Sequence, residues 1–364
     1  MTEPTKKQVL LNPGPTNVSD AVRAAMAGPD WCHREPEYFD LQDETRALLL
    51  SCFGLDPARW TNVLLTGSGT AAVETMVGSA VPRGKKLLVL DNGVYGDRIA
   101  KMCAANGTAT VSVRADWFAR PSLEEVERVL SDDREIATVA VVHHETTTGL
   151  LNDVPAVGAI AKRHGKRVLV DAVSSLAGES LDIDASGADY LACTANKCVQ
   201  GMPGIAFVLA RREAVAEIAP GTARSLYLDL KNLAAKQDAR DTPFTPAIQV
   251  LFALRQALRE LATETLPKRV ARYAGYARIV RGGLERLGLP VLVEPALRSN
   301  TITTIGLPKG KTYDDVHDAY KAEGFVIYAG QGDLRSRAFR ISTMGNLENA
   351  TVERAMDVLA RLVG

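Results

Sequence analysis

The strongest constraint on the fold is an alternation of apolar segments with segments of helical spacing, which runs from about residue 60 to about residue 210. Apolar runs such as Lys86–Leu90 and Ile136–Val142 have the length of buried strands. Strands that alternate with helices form parallel sheets, because each crossover lays a helix on one face of the sheet. The pattern therefore predicts an α/β fold with a doubly wound, mostly parallel sheet of seven strands.

Beyond residue 210 the pattern changes, and a long helical stretch, Ile248–Leu287, is interrupted near Leu266 and Pro267. A chain of 364 residues is too long for one ordinary core. We therefore expect a large domain over 16–247 and a smaller C-terminal α+β domain over 248–364, with segment 1–15 packed on the smaller one. Short strands are expected in that domain near Pro290–Glu294, Thr301–Ile305, Val326–Tyr328 and Phe339–Ser342.

Charge and composition argue against several classes of partner. The 43 basic and 43 acidic residues balance, so there is no electrostatic reason to expect nucleic acid or an anionic membrane. No apolar run reaches the roughly 18 residues of a membrane span, and the first residues lack the apolar core of a signal peptide. The five cysteines form no CxxC pair, which favours reduced thiols in a cytoplasmic protein without a metal site.

Polar residues follow the predicted strands at the points where the strands end. In α/β sheets, ligands bind at the edge formed by the carboxyl ends of the strands. The residues predicted to meet there are in GSGT (Ser68, Gly69, Thr70), NGVY (Tyr95), HETTTG (Thr146, Thr148), and at Asp171 and Lys197.

Lys197 lies in a polar hinge between two apolar strands, within ADYLACTANKCVQGMPGIAFVLA. A buried lysine loses its charge easily and becomes an imine-forming nucleophile. A lone lysine between strands is more often a surface turn residue, but Asp171 ends the preceding buried strand. A Schiff-base lysine and an acid that pairs with a pyridinium nitrogen are the two groups that pyridoxal phosphate (PLP) chemistry requires.

The glycine turn at Ser68–Thr70 lies between a strand and a helix, where free backbone N–H groups can hold a phosphate. The turn lacks both the lysine of a P-loop and the full GxGxxG of a dinucleotide site, which favours a cofactor with one phosphate. Tyr95 begins a helix just beyond a strand; core packing and a ring laid on a planar cofactor remain equal alternatives. The threonine hydroxyls of HETTTG can hydrogen-bond a cofactor oxygen.

Over nearly its whole length the sequence resembles the class V, fold-type I PLP aminotransferases, and within them the 2-aminoethylphosphonate–pyruvate branch. The motifs that carry the resemblance are LLNPGP, GSGTAAVE, HETTTGLLND, VDAVSSLAG, TANKCVQGMPGIAFV, GFVIYAG and FRISTMG.

The resemblance implies a role for each matching position around PLP. Lys197 would bond the cofactor and move the proton between carbons, Asp171 would keep the pyridine nitrogen protonated, and Tyr95 would stack on the ring. The other implied cofactor contacts are Ser68, Gly69 and Thr70 on the phosphate, Thr146 or Thr148 on the ring hydroxyl, and Asn196 beside Lys197.

The resemblance also implies a homodimer with shared active sites and an anion clamp for the substrate. Thr245 would reach the cofactor phosphate of the neighbouring subunit. Arg340 would hold the anionic end of the substrate, and Arg34 is a candidate second cation. An ordinary ion pair remains the alternative for Arg340.

The reaction implied is reversible transamination between 2-aminoethylphosphonate and pyruvate, which yields phosphonoacetaldehyde and alanine. One segment departs from that branch, because CHREPEY at 32–38 resembles the HRxPE segment of alanine–glyoxylate and serine–glyoxylate aminotransferases. Alanine or serine with glyoxylate therefore remains an alternative. Cysteine desulfuration would need a loop cysteine in the C-terminal half, and none follows Cys198. A PLP-binding protein without turnover is the remaining alternative.

Overall fold

The computed structural model describes residues 8–364, so residues 1–7 of the segment expected to pack on the smaller domain lie outside the described residues. The strands are β1 (Val9–Leu10), β2 (Trp60–Thr66), β3 (Lys86–Asp91), β4 (Ala109–Arg114), β5 (Ile136–Val142), β6 (His144–Glu145), β7 (Leu150–Leu151), β8 (Arg167–Asp171), β9 (Tyr190–Thr194), β10 (Ile205–Arg211), β11 (Ile302–Gly306), β12 (Phe325–Val326), β13 (Tyr328–Ala329) and β14 (Ala338–Ser342).

The α-helices are α1 (Asp20–Ala25), α2 (Pro36–Cys52), α3 (Gly69–Ala80), α4 (Val94–Ala105), α5 (Leu123–Asp132), α6 (Val154–Arg163), α7 (Arg212–Glu217), α8 (Leu230–Asp238), α9 (Ile248–Glu264), α10 (Leu266–Arg286), α11 (Tyr313–Ala322) and α12 (Asn349–Val363). None of the helices in the described part of the chain is long and apolar enough to cross a membrane.

A seven-stranded sheet forms the centre of the molecule, in the order β2-β10-β9-β8-β5-β3-β4. Only β10 runs antiparallel to its neighbours, β2 and β9. Hydrophobic clusters cover both faces, which is why β5, with the sequence IATVAVV, is apolar along its whole length. The predicted seven-stranded, mostly parallel α/β sheet is confirmed.

A second, antiparallel sheet has the order β11-β14-β13 and lies beyond the long helices α9 and α10. The prediction of a strand near Pro290–Glu294 is wrong. Among the described residues this segment makes only an isolated bridge, between Val291 and Ile305. Pro290 has no N–H for a ladder, and Pro295 starts a 3₁₀ turn, so the segment is interrupted at both ends. The division of the chain at residue 247 stays a prediction.

The segment that follows β1 connects this second part of the chain to the large sheet. β1 pairs in parallel with β12, and Leu11 O accepts a hydrogen bond from the N–H of Ser342 at 2.8 Å. A few residues later, the hydroxyl of Thr16 donates to the carbonyl of Lys197 at 3.3 Å. The N-terminal segment therefore contacts both the second part of the chain, at Ser342, and the turn that carries Lys197.

Candidate active site

A cavity of about 170 Å³ lies at the carboxyl ends of β2, β8 and β9, at the edge where the sequence analysis expects a ligand. Its lining includes seven of the predicted residues together with one face of α4. The lining residues are Ser68, Gly69, Thr70, Val73, Tyr95, Arg98, Ile99, Met102, Asp171, Val173, Thr194, Asn196 and Lys197.

Lys197 lies in the turn after β9, and its Nζ donates to the carbonyl of Pro13 at 2.6 Å. Burial lowers the pKa of the Lys197 amine to about 8, although the nearby Cys198 and Asp171 oppose the shift. Asn196, next to it, accepts a hydrogen bond from the Thr194 hydroxyl at 2.7 Å. About a tenth of the amine is thus neutral, and nucleophilic, at pH 7, far more than for a lysine of ordinary pKa.

Asp171 ends β8, the strand next to β9 in the sheet, and only 6% of its surface is exposed. Burial raises the pKa of this carboxyl, while the N–H of Val173 and the amine of Lys197 lower it. Oδ1 accepts the Val173 N–H at 2.9 Å, and Oδ2 has no hydrogen bond to any described residue. A buried carboxyl with a free oxygen on the cavity wall suits a cationic N–H of a ligand.

The turn Ser68–Thr70 forms the start of α3, whose N-cap Ser68 makes no side-chain capping hydrogen bond. The N–H of Ala71 donates to Ser68 O at 2.9 Å, whereas those of Gly69 and Thr70 have no hydrogen-bond acceptor among the described residues and lie at the positive end of the helix dipole. A Cβ at Gly69 would lie 2.7 Å from Val173, so the backbone approaches this neighbour more closely than any side chain permits. This start of a twelve-residue helix has the features of an anion site.

Thr146 and Thr148 lie in the loop between β6 and β7, and both hydroxyls are buried without a hydrogen-bond partner among residues 8–364. Their carbonyls, in contrast, are engaged: Thr146 O accepts from Arg340 Nη1 at 2.7 Å, and Thr148 O accepts from the hydroxyl of Thr304 at 2.6 Å. Buried hydroxyls normally have partners, so this loop has polar capacity for a ligand.

Two residues to which the sequence analysis assigns no individual role also belong to this region. Arg98 lines the cavity one helical turn after Tyr95, and its guanidinium lies 4.6 Å from the centre of the Tyr95 ring. Glu145 is fully buried and accepts the N–H groups of Tyr95 at 3.2 Å and of Thr147 at 3.1 Å. Burial raises the pKa of Glu145 to about 7. The i, i+3 spacing from Tyr95 was the available signal for Arg98.

Arg340 lies on β14, the central strand of the second sheet, with 3% of its surface exposed. Nε donates to Ala329 O at 3.0 Å, Nη1 donates to Thr146 O, and Nη2 makes no hydrogen bond within the described chain. Burial lowers the pKa of this guanidinium. No carboxylate pairs with it among residues 8–364, and a buried cation without a counterion is a site for an anion.

Thr146, Thr148 and Arg340 are not among the residues that line the cavity, and the structure does not bring Arg34 or Thr245 into it in their own chain either. Arg34 is exposed and forms an ion pair with Asp241 at 2.7 Å. Thr245 is exposed and lines a separate, smaller cavity with Tyr227 and Phe244. Their roles toward substrate and toward a neighbouring subunit stay predictions, as do the roles of the other site residues.

The chain belongs to the class-V aminotransferase family, whose model matches residues 37–335. It is 37% identical to a 2-aminoethylphosphonate–pyruvate transaminase of Vibrio cholerae over 361 residues, which cover 98% of this chain and 97% of the relative. It is 39% identical to an enzyme of the same name from Syntrophobacter fumaroxidans, with 94% of this chain and 93% of the relative covered.

Among solved structures, the fold is similar to that of an alanine–glyoxylate aminotransferase from Nostoc sp. The TM-score is 0.93 at 28% identity, and the match covers 100% of this chain and 97% of the other. The fold-type I architecture expected from the sequence is thus confirmed.

Proposed function

We propose that this protein is a PLP-dependent aminotransferase that exchanges an amino group between 2-aminoethylphosphonate and pyruvate, with phosphonoacetaldehyde and alanine as products. One observation carries the proposal: the amine of the half-buried Lys197 and the buried carboxyl of Asp171 line the same cavity from adjacent strand ends. The names of the relatives from Vibrio cholerae and Syntrophobacter fumaroxidans support the substrate pair.

The residues present fit PLP. The start of α3 at Ser68–Thr70 would hold the phosphate, and the unpartnered hydroxyls of Thr146 and Thr148 would accept or donate at the ring hydroxyl. Tyr95, on the cavity wall, offers a face for stacking, and Glu145 holds its backbone in position. When bound, PLP supplies an electron-accepting ring that makes the Cα–H bond of an attached amine easy to break.

Side chains of the protein would then carry out the proton transfers and hold the charges. Lys197 would bond the cofactor, and its amine, once released, would take a proton from one reacting carbon and return it to the other. A lowered pKa keeps this amine available as a base near neutral pH. Asp171 holds a proton on the ring nitrogen as its counterion. Arg340 provides a buried positive charge for the carboxylate of pyruvate or the phosphonate of the amine donor.

We also propose a homodimer in the cytoplasm with active sites shared between subunits. Leu226 is 83% exposed, and the Tyr227 and Phe244 rings lie 4.8 Å apart near the exposed Thr245, so an apolar surface adjoins this residue. The five cysteines are free thiols, in keeping with a reducing compartment. Co-expressed Lys197→Ala and Thr245→Glu chains should regain activity, because a mixed dimer has one intact site; no recovery would contradict shared sites.

A panel of amines crossed with keto acids tests the substrate proposal. We expect kcat/KM for 2-aminoethylphosphonate with pyruvate to exceed that for alanine or serine with glyoxylate by at least about tenfold, a difference within the reach of one extra polar contact. The reverse order would favour the glyoxylate reaction, a candidate supported by the Nostoc structure and by the CHREPEY segment. An amine-dependent absorbance change without turnover would instead indicate a PLP-binding protein.

A further inference from the structure

A row of three side chains in the second sheet lies on the face toward the loop between β6 and β7, which holds Thr146 and Thr148. Thr304 on β11 and Tyr328 on β13 are both directly paired with Arg340 on the central strand β14. Residues directly opposite one another in antiparallel strands project from the same face. The hydroxyl of Thr304 donates to Thr148 O and the guanidinium of Arg340 donates to Thr146 O, so this face of the sheet is the one toward the loop.

Tyr328 is the member of the row that has no partner in the loop. It is 40% exposed, and its hydroxyl makes no hydrogen bond to a residue of the described chain. The hydroxyl of Tyr313, another phenol near Arg340, is already committed to Ile327 O at 3.1 Å. Tyr328, paired with Arg340 across the sheet and partly exposed, is therefore a neighbour of the guanidinium with an uncommitted donor.

The geometry around Arg340 leaves limited capacity for an anion. Its Nε and one N–H of Nη1 are used by backbone carbonyls, and Nη2 remains free. A carboxylate has two oxygens in one plane, which two parallel N–H groups can satisfy. A phosphonate has three oxygens arranged as a tetrahedron and about two negative charges, so one oxygen extends beyond the plane of the guanidinium and needs a further donor.

We propose that Tyr328 determines specificity by donating its hydroxyl to the third oxygen of a phosphonate held by Arg340, so that the site favours a tetrahedral dianion over a planar carboxylate. This assignment rests on the proposed function, because it concerns the anion subsite of that reaction. It predicts that loss of the Tyr328 hydroxyl weakens the binding of phosphonates selectively.

The experiment measures anion binding to the PLP-loaded enzyme through the change in cofactor absorbance, with ethylphosphonate and propionate as unreactive probes. In Tyr328→Phe, the affinity for ethylphosphonate should fall by about tenfold or more, the size of one hydrogen bond to a charged group, while the affinity for propionate changes less than about twofold. Tyr320→Phe is the matched control, because it removes a buried hydroxyl without a partner from α11; it should change neither affinity.

The ratio of the two affinities decides the assignment. An unchanged ratio in Tyr328→Phe, whether both affinities fall together or neither falls, would overturn it. The proposed function is judged separately, by whether the wild-type enzyme converts 2-aminoethylphosphonate. Turnover with an unchanged ratio would leave the function standing without Tyr328, and a changed ratio without turnover would leave an anion-discriminating residue in an enzyme of another substrate.

Discussion

The edge of the seven-stranded sheet formed by the carboxyl ends of its parallel strands (the carboxyl edge) and the edge formed by their amino ends (the amino edge) differ in how their polar groups are paired. At the amino edge a groove of about 940 Å³ is lined with charges, and most of them form ion pairs: Arg167 pairs with Asp189 at 2.7 Å and with Glu217, and Arg59 pairs with Asp184 at 2.6 Å. At the carboxyl edge the cavity is several times smaller, about 170 Å³.

Polar groups without hydrogen-bond partners among the described residues lie in and near the smaller cavity. Asp171 keeps a free carboxyl oxygen, and the hydroxyls of Thr146 and Thr148 in the nearby loop are buried without hydrogen bonds to the described chain. Buried polar groups cost free energy unless a partner is supplied, whereas paired charges at a surface groove are already satisfied. Unsatisfied polar capacity, not volume, distinguishes the candidate site from the groove.

The largest expected effect is a loss of activity when the lysine at the carboxyl edge is replaced by arginine. A lysine at the amino edge provides the control. Lys197→Arg keeps a positive charge but removes the amine that can become neutral, so transamination should fall by at least about a thousandfold. Lys162→Arg, at an exposed groove position, should leave activity unchanged. Borohydride reduction of the PLP-loaded protein and peptide mapping should place the pyridoxyl label on Lys197; a label on another lysine would contradict the site.

Replacing one aspartate at each edge by asparagine should separate an effect on activity from an effect on stability. Asp171→Asn should lower kcat by about 10²- to 10⁴-fold without lowering the free energy of unfolding of the cofactor-free chain, because it removes a desolvated carboxyl. Asp189→Asn should leave kcat unchanged but lower that free energy by about 1–3 kcal/mol, since Asp189 accepts from Arg167 and from the Val168 N–H. Equal effects of the two variants on kcat and stability would remove the contrast between the edges.

The pH dependence of cofactor attachment should report the lowered pKa of Lys197. With a pKa of about 8, the neutral fraction of this amine rises from about a tenth at pH 7 to about nine tenths at pH 9. The rate at which the cofactor-free protein bonds PLP should therefore increase about tenfold over this range and then level off. A rate that keeps rising toward about pH 10.4, the ordinary pKa of a lysine amine, would show that burial has not lowered the pKa of Lys197.

The smallest expected effect concerns single hydroxyl groups. Thr146→Val should weaken PLP retention by about five- to tenfold and leave the melting temperature of the cofactor-free chain unchanged, because its hydroxyl has no partner there. Ser186→Ala, beside the groove, should lower the melting temperature and leave PLP retention unchanged, because its hydroxyl donates to Ile183 O at 2.8 Å and accepts the Ala188 N–H. Calorimetry of both chains, with PLP titrations, checks the pair; a destabilised Thr146→Val would argue for a structural hydroxyl.

Much of the fold and the centre of the candidate site could be predicted before any coordinates. Segments such as IATVAVV in β5 are apolar on both faces, and only a sheet covered on both sides buries them. Because parallel strands end at one edge, Asp171 and Lys197 could be predicted to share that edge, and the structure makes them neighbours by placing β8 next to β9. The strand expected near Pro290–Glu294 failed, because apolar content alone does not show where a ladder is interrupted by proline.

The amino-acid sequence by itself determined the sheet and the strand-end positions of Lys197 and Asp171, because hydrophobic periodicity and strand direction are local properties that every part of the chain carries. Only the tertiary structure decided which polar groups are paired. Arg34 forms an ion pair with Asp241, 207 positions away, whereas Arg340 is buried against the carbonyl of Thr146 and forms no ion pair with any carboxylate of residues 8–364. Pairing between such distant residues depends on how separate elements pack, and a linear pattern holds no record of that packing.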